Sequence, residues 1–280
     1  MKKEDAIKLA EAGLTQLNED LSQGHSETLL RYLDFLASFH RYSFRNVMMI
    51  EMQRPDATHV AGFHSWRKLG RTVRKGETGI AIFAPMVGRK CESQTEQTIE
   101  EEAGPALYGF RVVHVFDVKQ TEGKDIPQLA SVSGDPGEYL GRLEHIVATR
   151  GILLRYASLP GGTQGASMNG TILVAQELSV CATFSVLVHE FAHELLHYQN
   201  DRPEKPSRIV AETEAEAVAY VVCRALGLET TRQSVDYIHL HQGSADVLAK
   251  SLNAIQRTAA QILEALATKA SDPKDVRHAA

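Results

Sequence analysis

The chain is 280 residues long, which is enough for two domains of ordinary size. Apolar residues make up 43% of it and charged residues 23%, a composition typical of globular proteins. The net charge of −5 excludes a strongly basic protein, and no apolar run approaches the roughly 18 residues of a membrane span. Three scattered cysteines without a Cys-x-x-Cys pair and a charged N-terminal segment predict a cytoplasmic location with reduced thiols.

The first half of the chain predicts helices followed by short strands. Apolar residues recur at spacings of three and four in three early segments, and alternate or cluster as in strands in three later ones. The predicted helices are 4–21, 26–40 and 42–52, and the predicted strands are 59–62, 79–84 and 110–118. A short helix carrying Trp66 separates the first two strands.

A basic segment lies within this half, where residues 41–75 contain eight Arg or Lys and only two acids. Cations that follow phosphates, interleaved with rings that stack on bases, are how proteins hold single-stranded nucleic acid. The alternative is a solvated basic hairpin around a buried tryptophan. Seven residues are the candidates for contacts with single-stranded DNA: Arg45, Trp66, Arg67, Lys68, Arg71, Arg74 and Lys75.

The second half begins after a Pro- and Gly-containing segment, 124–137, which is the best domain boundary. We therefore predict two domains, 1–125 and 136–268. The second is predicted to contain an initial helix, two strands that form a small antiparallel sheet packed on helices, and two late helices. These elements are 138–150, 152–156, 171–175, 232–241 and 245–267. The predicted fold class is α+β.

The most informative motif is His189-Glu190-x-x-His193, in a helical run without Gly or Pro. On a helix the two histidines are one turn apart and project from the same face, so both can bind one ion at roughly 2.0–2.1 Å if it is zinc. Glu190 lies about 100° around the helix and is the candidate general base that acts on a water. His197 is roughly 12 Å further along the axis than His189, too far to share the ion.

A third ligand is expected from a second helical run, rich in Ala and Glu, at 209–222. Glu212 and Glu216 lie one turn apart, and buried carboxylates are costly unless they are paired or bound to metal. We assign Glu212 as the ligand and Glu216 as the carboxylate that orients a ligand histidine, with the reverse assignment left open. Tyr237 is a candidate donor to a developing oxyanion, although a core tyrosine is the alternative.

Several stretches of this chain resemble ArdC-type antirestriction proteins. The N-terminal stretches are 42–47, 62–77 and 115–123, and the C-terminal ones are 186–223 and 235–264. The resemblance implies a first domain that binds single-stranded DNA. It also implies a second, zincin-like metallopeptidase domain, related to ImmA/IrrE and SprT-like peptidases, and a role in protecting incoming plasmid or phage DNA from restriction.

We therefore predict an antirestriction-type single-stranded DNA-binding protein with a zinc metallopeptidase-like domain of the gluzincin-like type. Zn²⁺ is the expected ion, Mn²⁺ also fits the ligands, and the partner beside DNA would be a protein substrate. One alternative is an ImmA/IrrE-like regulatory metallopeptidase that cleaves a repressor or another protein. The other is a non-enzymatic protein that coats DNA and whose metal is structural. Glu190 favours chemistry, because a structural zinc needs no such base and usually has four protein ligands.

Overall fold

The computed structural model describes residues 1–88, 106–125, 135–199, 205–228 and 244–268. It confirms the α+β class. The helices are α1 (Lys3–Ser22), α2 (Ser26–Ser38), α3 (Phe44–Gln53), α4 (Phe63–Lys68), α5 (Glu138–Thr149), α6 (Val180–His193), α7 (Arg208–Ala225) and α8 (Ala245–Ala267). The strands are β1 (Val60–Gly62), β2 (Arg71–Val73), β3 (Ile80–Gly88), β4 (Ala106–Asp117), β5 (Thr121–Gly123), β6 (Leu153–Ala157), β7 (Gly165–Ser167) and β8 (Thr171–Ala175). Among the described helices, none combines the length and the apolar character that a bilayer crossing requires.

The chain folds into two compact units. Their residues are Met1–Leu14 with Arg45–Ile126, and Thr15–Phe44 with Pro127–Ala280. The sequence places residues 15–44 in its first domain, whereas the structure groups them with the second unit. In that unit Asp34, on α2, accepts a hydrogen bond from the Tyr220 hydroxyl at 2.8 Å and from Arg224 Nε at 2.7 Å.

In the first unit, β1, β4 and β3 form an antiparallel sheet in that order, so β3 lies at an edge. Two side-chain amides of α3 bond to this edge. Asn46 donates to the Phe83 carbonyl and accepts from its N–H, both at 2.9 Å, and Gln53 does the same with Ala81 at 2.8 and 3.0 Å. Backbone groups that an edge strand would leave unpaired are therefore satisfied by the helix.

Buried Asp117 organises the turn after β4. Its carboxylate accepts the backbone N–H groups of Thr58 at 2.7 Å, His59 at 3.1 Å and Lys119 at 2.9 Å. The side chain of Gln120 in turn accepts the Asp117 N–H at 2.9 Å, which completes a capping box. The motif at 115–123 thus has a structural role, because it joins β4 to the β2–β5 pair.

The sheet of the second unit corrects one prediction. β6 and β8 were expected to pair antiparallel, but they run parallel, and the antiparallel partner of β8 is the edge strand β7. A tight turn with Asn169 at φ +43° and Gly170 at φ +96° returns the chain from β7 into β8. β7 therefore takes the antiparallel position, and β6 occupies the other side of β8. The sequence Gly-Ala-Ser of β7 has none of the β-branched or aromatic residues that mark a strand.

Candidate metal centre

Three predicted ligand atoms converge between α6 and α7. Nε2 of His189 and Nε2 of His193 are 3.1 Å apart, and Oε2 of Glu212 lies 3.5 Å from the first and 3.4 Å from the second. The two histidines project together because they are one turn apart on α6, whose N-cap Ser179 accepts the Ala182 N–H. The structure thus brings these three side chains to one point.

Glu216 contacts the opposite side of the same imidazole. Its Oε2 lies 3.1 Å from Nδ1 of His189, and its side chain is buried, whereas that of Glu212 is 53% exposed. Glu214, between them, faces elsewhere: it is fully buried and accepts the hydroxyl hydrogen of Ser251 at 2.6 Å. One helix therefore directs three carboxylates to three different environments.

The charges of this cluster are strongly coupled. Burial alone would lower the pKa of His189, but the bonded carboxylates of Glu212 and Glu216, with the charge of Glu190, raise that pKa to about 9. The hydrogen bonds from His189 and then His193 hold the pKa of Glu212 well below its ordinary value. At neutral pH the metal-free His189 is therefore expected to be protonated, and a bound cation would have to displace that proton.

Glu190 lies beside the histidines in a cavity of about 770 Å³. Only 7% of the residue is exposed, and the edge strand β7 also lines the cavity. A side chain at Gly165 would place its Cβ 2.6 Å from Oε1 of Glu190 and 2.6 Å from Cγ1 of Val186. The absence of a side chain at Gly165 lets the backbone of β7 approach the candidate base closely.

Glu194 is a functional candidate that the sequence reasoning missed. It is fully buried, and its carboxylate accepts the Ser167 hydroxyl at 2.6 Å and the Gly170 N–H at 2.9 Å. It therefore ties β7 and its turn to the end of the histidine helix. An acid directly after His193 in an otherwise apolar run is a readable signal of a buried, bonded carboxylate. Nothing in the sequence signals Ser167.

His197 occupies a π-helical turn, Glu194–Tyr198, that continues α6. Its Nε2 lies 3.2 Å from the carbonyl oxygen of Ala211, the residue before Glu212, and its ring centroid is 5.5 Å from that of His193. Irregular turns of this kind are common at functional sites. His197 therefore helps to position the start of α7.

The structure excludes Trp66 from a base-stacking surface. The residue is 2% exposed, and its indole N–H donates to the Phe116 carbonyl at 2.8 Å. The alternative of a buried tryptophan is therefore correct. The prediction that Trp66 stacks on bases was wrong because an aromatic ring in a short amphipathic helix is equally typical of a core residue.

Two of the predicted DNA-binding arginines are engaged within the protein. Arg71 donates through Nε to the Thr121 hydroxyl at 2.8 Å and through its other nitrogens to backbone carbonyls of β5 and Lys124. Arg74 forms an ion pair with Glu77 at 2.8 Å, and this guanidinium holds the pKa of Glu77 below its ordinary value. Both arginines stabilise the turn around β2 and β5.

The remaining predicted DNA contacts lie on the surface of the first unit. They are Arg45, Arg67, Lys68 and Lys75, all of which are exposed. Arg67 and Lys68 occupy the last turn of α4, where positive charge also complements the helix dipole. Tyr237, the candidate oxyanion donor, and the predicted helix 232–241 lie outside the described residues.

Comparison with known proteins finds a family model that matches the N-terminal part and solved structures that share the fold. Residues 4–116 match a family model described as the N-terminal domain of anti-restriction factor ArdC. An uncharacterized protein of Bacillus anthracis, pXO2-81, is 24% identical over 313 residues, covering 96% of this chain and 52% of that protein. The chain thus spans about half the length of this curated relative.

Two crystal structures of the antirestriction ArdC protein from the R388 plasmid share the fold. The metal-free form has a TM-score of 0.50 at 22% identity, covering 80% of this chain and 84% of the other. The Mn(II)-bound form has a TM-score of 0.55 at 19% identity, covering 94% and 99%. The family model and the shared fold confirm the resemblance to ArdC-type antirestriction proteins, with residues 4–116 corresponding to the N-terminal domain of that family.

Proposed function

We propose that the chain is an antirestriction protein that binds single-stranded DNA through an N-terminal domain, 1–125, and carries a zinc metallopeptidase-like site in a C-terminal domain, 136–268. The observation that carries this proposal is the convergence of His189, His193 and Glu212 on one point beside Glu190, in a cavity large enough for a peptide segment. Residues 15–44 are assigned differently by sequence and by structure: the N-terminal family model includes them, whereas they group with the second compact unit.

The three side chains fit a catalytic metal. Ligands bound tetrahedrally at roughly 2.0–2.1 Å are about 3.3–3.4 Å apart, and the separations here are 3.1, 3.4 and 3.5 Å. Two imidazoles and one carboxylate, with a position left open, are typical of catalytic zinc, and Mn²⁺ also accepts these ligands. The Mn(II)-bound state of the R388 relative supports a divalent ion at this site.

The chemistry would depend on Glu190. A divalent ion bound here would polarise a peptide carbonyl and make a water more acidic. The Glu190 carboxylate would accept the proton of that water at Oε1 or Oε2 and deliver it to the departing amine nitrogen. Glu216 would keep His189 oriented, with Nε2 directed at the ligand position.

The edge strand β7 provides the means to hold an extended polypeptide. It lies at the edge of its sheet and lines the cavity that contains Glu190, so a substrate strand could add to this edge through main-chain hydrogen bonds. Glu194 fixes this strand relative to α6 through Ser167 and Gly170. A substrate bound alongside β7 would thus pass close to the candidate base.

The DNA-binding part of the proposal relies on the exposed cations Arg45, Arg67, Lys68 and Lys75. These side chains can follow phosphates, which makes binding depend on salt rather than on base sequence. The ArdC N-terminal family model over residues 4–116 supports an interaction with DNA. Antirestriction would then combine DNA binding with the peptidase-like site.

Metal content and cleavage test the proposal directly. His193→Ala should lose about one bound ion per chain, whereas His145→Ala, at an exposed position of α5, should keep it. Glu190→Gln should retain the metal and abolish cleavage of an unfolded protein such as casein. Unchanged metal content in His193→Ala would refute the proposed metal site. Cleavage by Glu190→Gln at the wild-type rate would refute the role of Glu190 as general base.

Plasmid transfer into a restricting host separates the enzyme from a protein that only coats DNA. If the peptidase-like site is needed, Glu190→Gln should fail to protect an unmodified plasmid while it still binds single-stranded DNA. Protection by Glu190→Gln at the wild-type level would show that the metal site has only a structural role in antirestriction.

A further inference from the structure

A second cavity, of about 790 Å³, lies in the same unit as the metal centre and adjoins it. Leu196, Lys205 and Pro206 line both cavities, so the two share a wall. The second cavity is bounded by the segment after α6, the start of α7 and one face of α8. The two cavities are therefore neighbours, and a polypeptide that crosses Lys205 and Pro206 would contact both.

Four cations line this second cavity: Arg150, Lys205, Lys250 and Arg257. All four are exposed, and within the described ranges none of them forms an ion pair and no carboxylate lines the cavity. The carboxylate of Glu214 lies behind Ser251, which donates to it at 2.6 Å, and does not reach the cavity. The cavity is thus a local concentration of positive charge on a chain whose net charge is −5.

α8 is amphipathic, and the residues at spacings of three and four on its side toward the cavity are Lys250, Asn253, Arg257 and Gln261. This part of its polar face therefore carries two cations and no acid. Arg150, at the end of α5, donates to the side-chain amide of Gln261, a neutral partner that positions the guanidinium without neutralising it. Like charges from three elements repel one another, and that cost is offset when an anion binds between them.

The ligand is either a nucleic-acid backbone or an acidic polypeptide, and the cavity favours the polypeptide. Single-stranded nucleic acid is usually held by aromatic rings as well as cations, and among the described lining residues there is no aromatic side chain. Lys205 also lines the cavity that contains the edge strand β7 and Glu190, where the substrate backbone would lie.

From the shared lining residues and from positive charge that no described carboxylate offsets, we infer that this basic cavity is the docking site for an acidic segment of the polypeptide substrate. The inference rests on the proposed function, because the occupant is the same polypeptide that reaches the metal centre. Carboxylates of the substrate pair with Lys250 and Arg257 on α8 and with Lys205 at the shared wall. The cavity therefore selects acidic substrates before the bond to be cleaved reaches Glu190.

Binding of a fluorescent decaglutamate peptide by the full chain tests this inference, with decaglutamine and ten-residue oligothymidylate as comparison probes. The double variant Lys250→Glu/Arg257→Glu should weaken decaglutamate binding by about tenfold at low salt. The neutral variant Lys250→Gln/Arg257→Gln should weaken it by about threefold, and it keeps the test valid if the reversed charges disturb folding. The matched control is Arg41→Glu/Arg155→Glu, two exposed arginines outside both cavities, and it should bind as the wild type does.

Equal decaglutamate affinity in the wild type, the neutral variant and the control would overturn the inference. So would a loss of oligothymidylate binding in the α8 variants without a loss of decaglutamate binding, since that result assigns the cavity to nucleic acid. Metal content and casein cleavage, measured on the same samples, separate the two proposals. If the wild-type protein contains no metal, but its decaglutamate binding is still weakened by the substitutions at Lys250 and Arg257, the proposed function is refuted and the basic binding site is not. Metal-dependent cleavage together with charge-independent decaglutamate binding refutes only the docking site.

Discussion

Glu216 holds His189 by the ring nitrogen that faces away from the other ligand atoms: its Oε2 lies 3.1 Å from Nδ1, while Nε2 lies 3.5 Å from Glu212. Such a contact fixes the tautomer and the ring orientation of a metal-binding histidine, and its loss typically costs 10–100-fold in metal affinity. We therefore expect Glu216→Ala to weaken zinc binding by about that factor, measured by competition with a chromophoric chelator.

Glu216→Gln should have a smaller effect than Glu216→Ala, because an amide oxygen can still accept from Nδ1. Glu212→Ala should have a larger effect than either, since it removes a ligand. The reverse order, with Glu216→Ala more severe than Glu212→Ala, would exchange the two roles.

Glu194 should contribute strongly to stability. Its fully buried carboxylate accepts two hydrogen bonds, and a bond to a charged acceptor is worth about 1.5–3 kcal/mol. Glu194→Ala should therefore lower the free energy of unfolding by about 3 kcal/mol, and Ser167→Ala, which removes one donor, by about half of that. Denaturant unfolding of the metal-free protein measures both changes.

A local measurement shows whether Glu194 acts through β7. In Glu194→Ala the Gly170 amide should exchange its hydrogen faster than in the wild type, while the amides of β6 keep their protection. If the Gly170 amide stays protected at the wild-type level, Glu194 is not what ties β7 to α6.

The sequence predicts most elements because their apolar residues recur at regular spacing, as in α6, where the histidines follow from helical geometry alone. It does not predict β7, because Gly165 to Ser167 have no strand-like residue pattern and the strand is held by contacts with residues of α6 and the turn after it. Trp66 was ambiguous for a related reason: a ring has the same sequence signal whether it stacks on a base or packs in a core. Arg71 likewise carries a charge that the sequence cannot assign to a phosphate or to the carbonyls of β5. Long-range contacts decide such cases, and periodicity does not encode them.

The metal-free protein should lose stability as the pH rises. The pKa of folded His189 is about 9, above its ordinary 6.5, so its contribution is complete below pH 6.5 and is lost as the pH approaches 9. The pKa of Glu212 is lowered, so its contribution is present above its ordinary 4.5 and is lost at more acidic pH. The unfolding free energy of chelator-treated protein should therefore be higher at pH 6 than at pH 9.

A metal ion must displace the proton from His189, so its apparent affinity should rise between pH 6 and pH 8.5. His189→Gln should flatten the pH dependence of the metal-free stability. A wild-type unfolding free energy that is the same at pH 6 and at pH 9 would contradict the coupling between His189 and its carboxylates.

The cations of the first unit should separate into two classes. Arg67, Lys68 and Lys75 are exposed, whereas the guanidinium of Arg71 is bonded to Thr121 and to backbone carbonyls. The triple variant Arg67→Ala/Lys68→Ala/Lys75→Ala should weaken single-stranded DNA binding and reduce the salt slope by about two, since each phosphate contact contributes about 0.7. Its melting temperature should stay at the wild-type value.

Arg71→Ala should lower stability and leave DNA binding unchanged, because it leaves the hydrogen-bond acceptors of β5 without a donor. We expect it to destabilise the protein by about 1–2 kcal/mol while the salt slope of DNA binding stays unchanged. Lys2→Ala/Lys3→Ala/Lys8→Ala removes three exposed cations of α1 and its approach and serves as the charge-matched control. If DNA binding depended only on net charge, both triple variants would weaken it equally. A loss confined to Arg67→Ala/Lys68→Ala/Lys75→Ala would locate the phosphate contacts at α4 and the turn after β2. A wild-type melting temperature together with a reduced salt slope in Arg71→Ala would place Arg71 among the phosphate contacts instead.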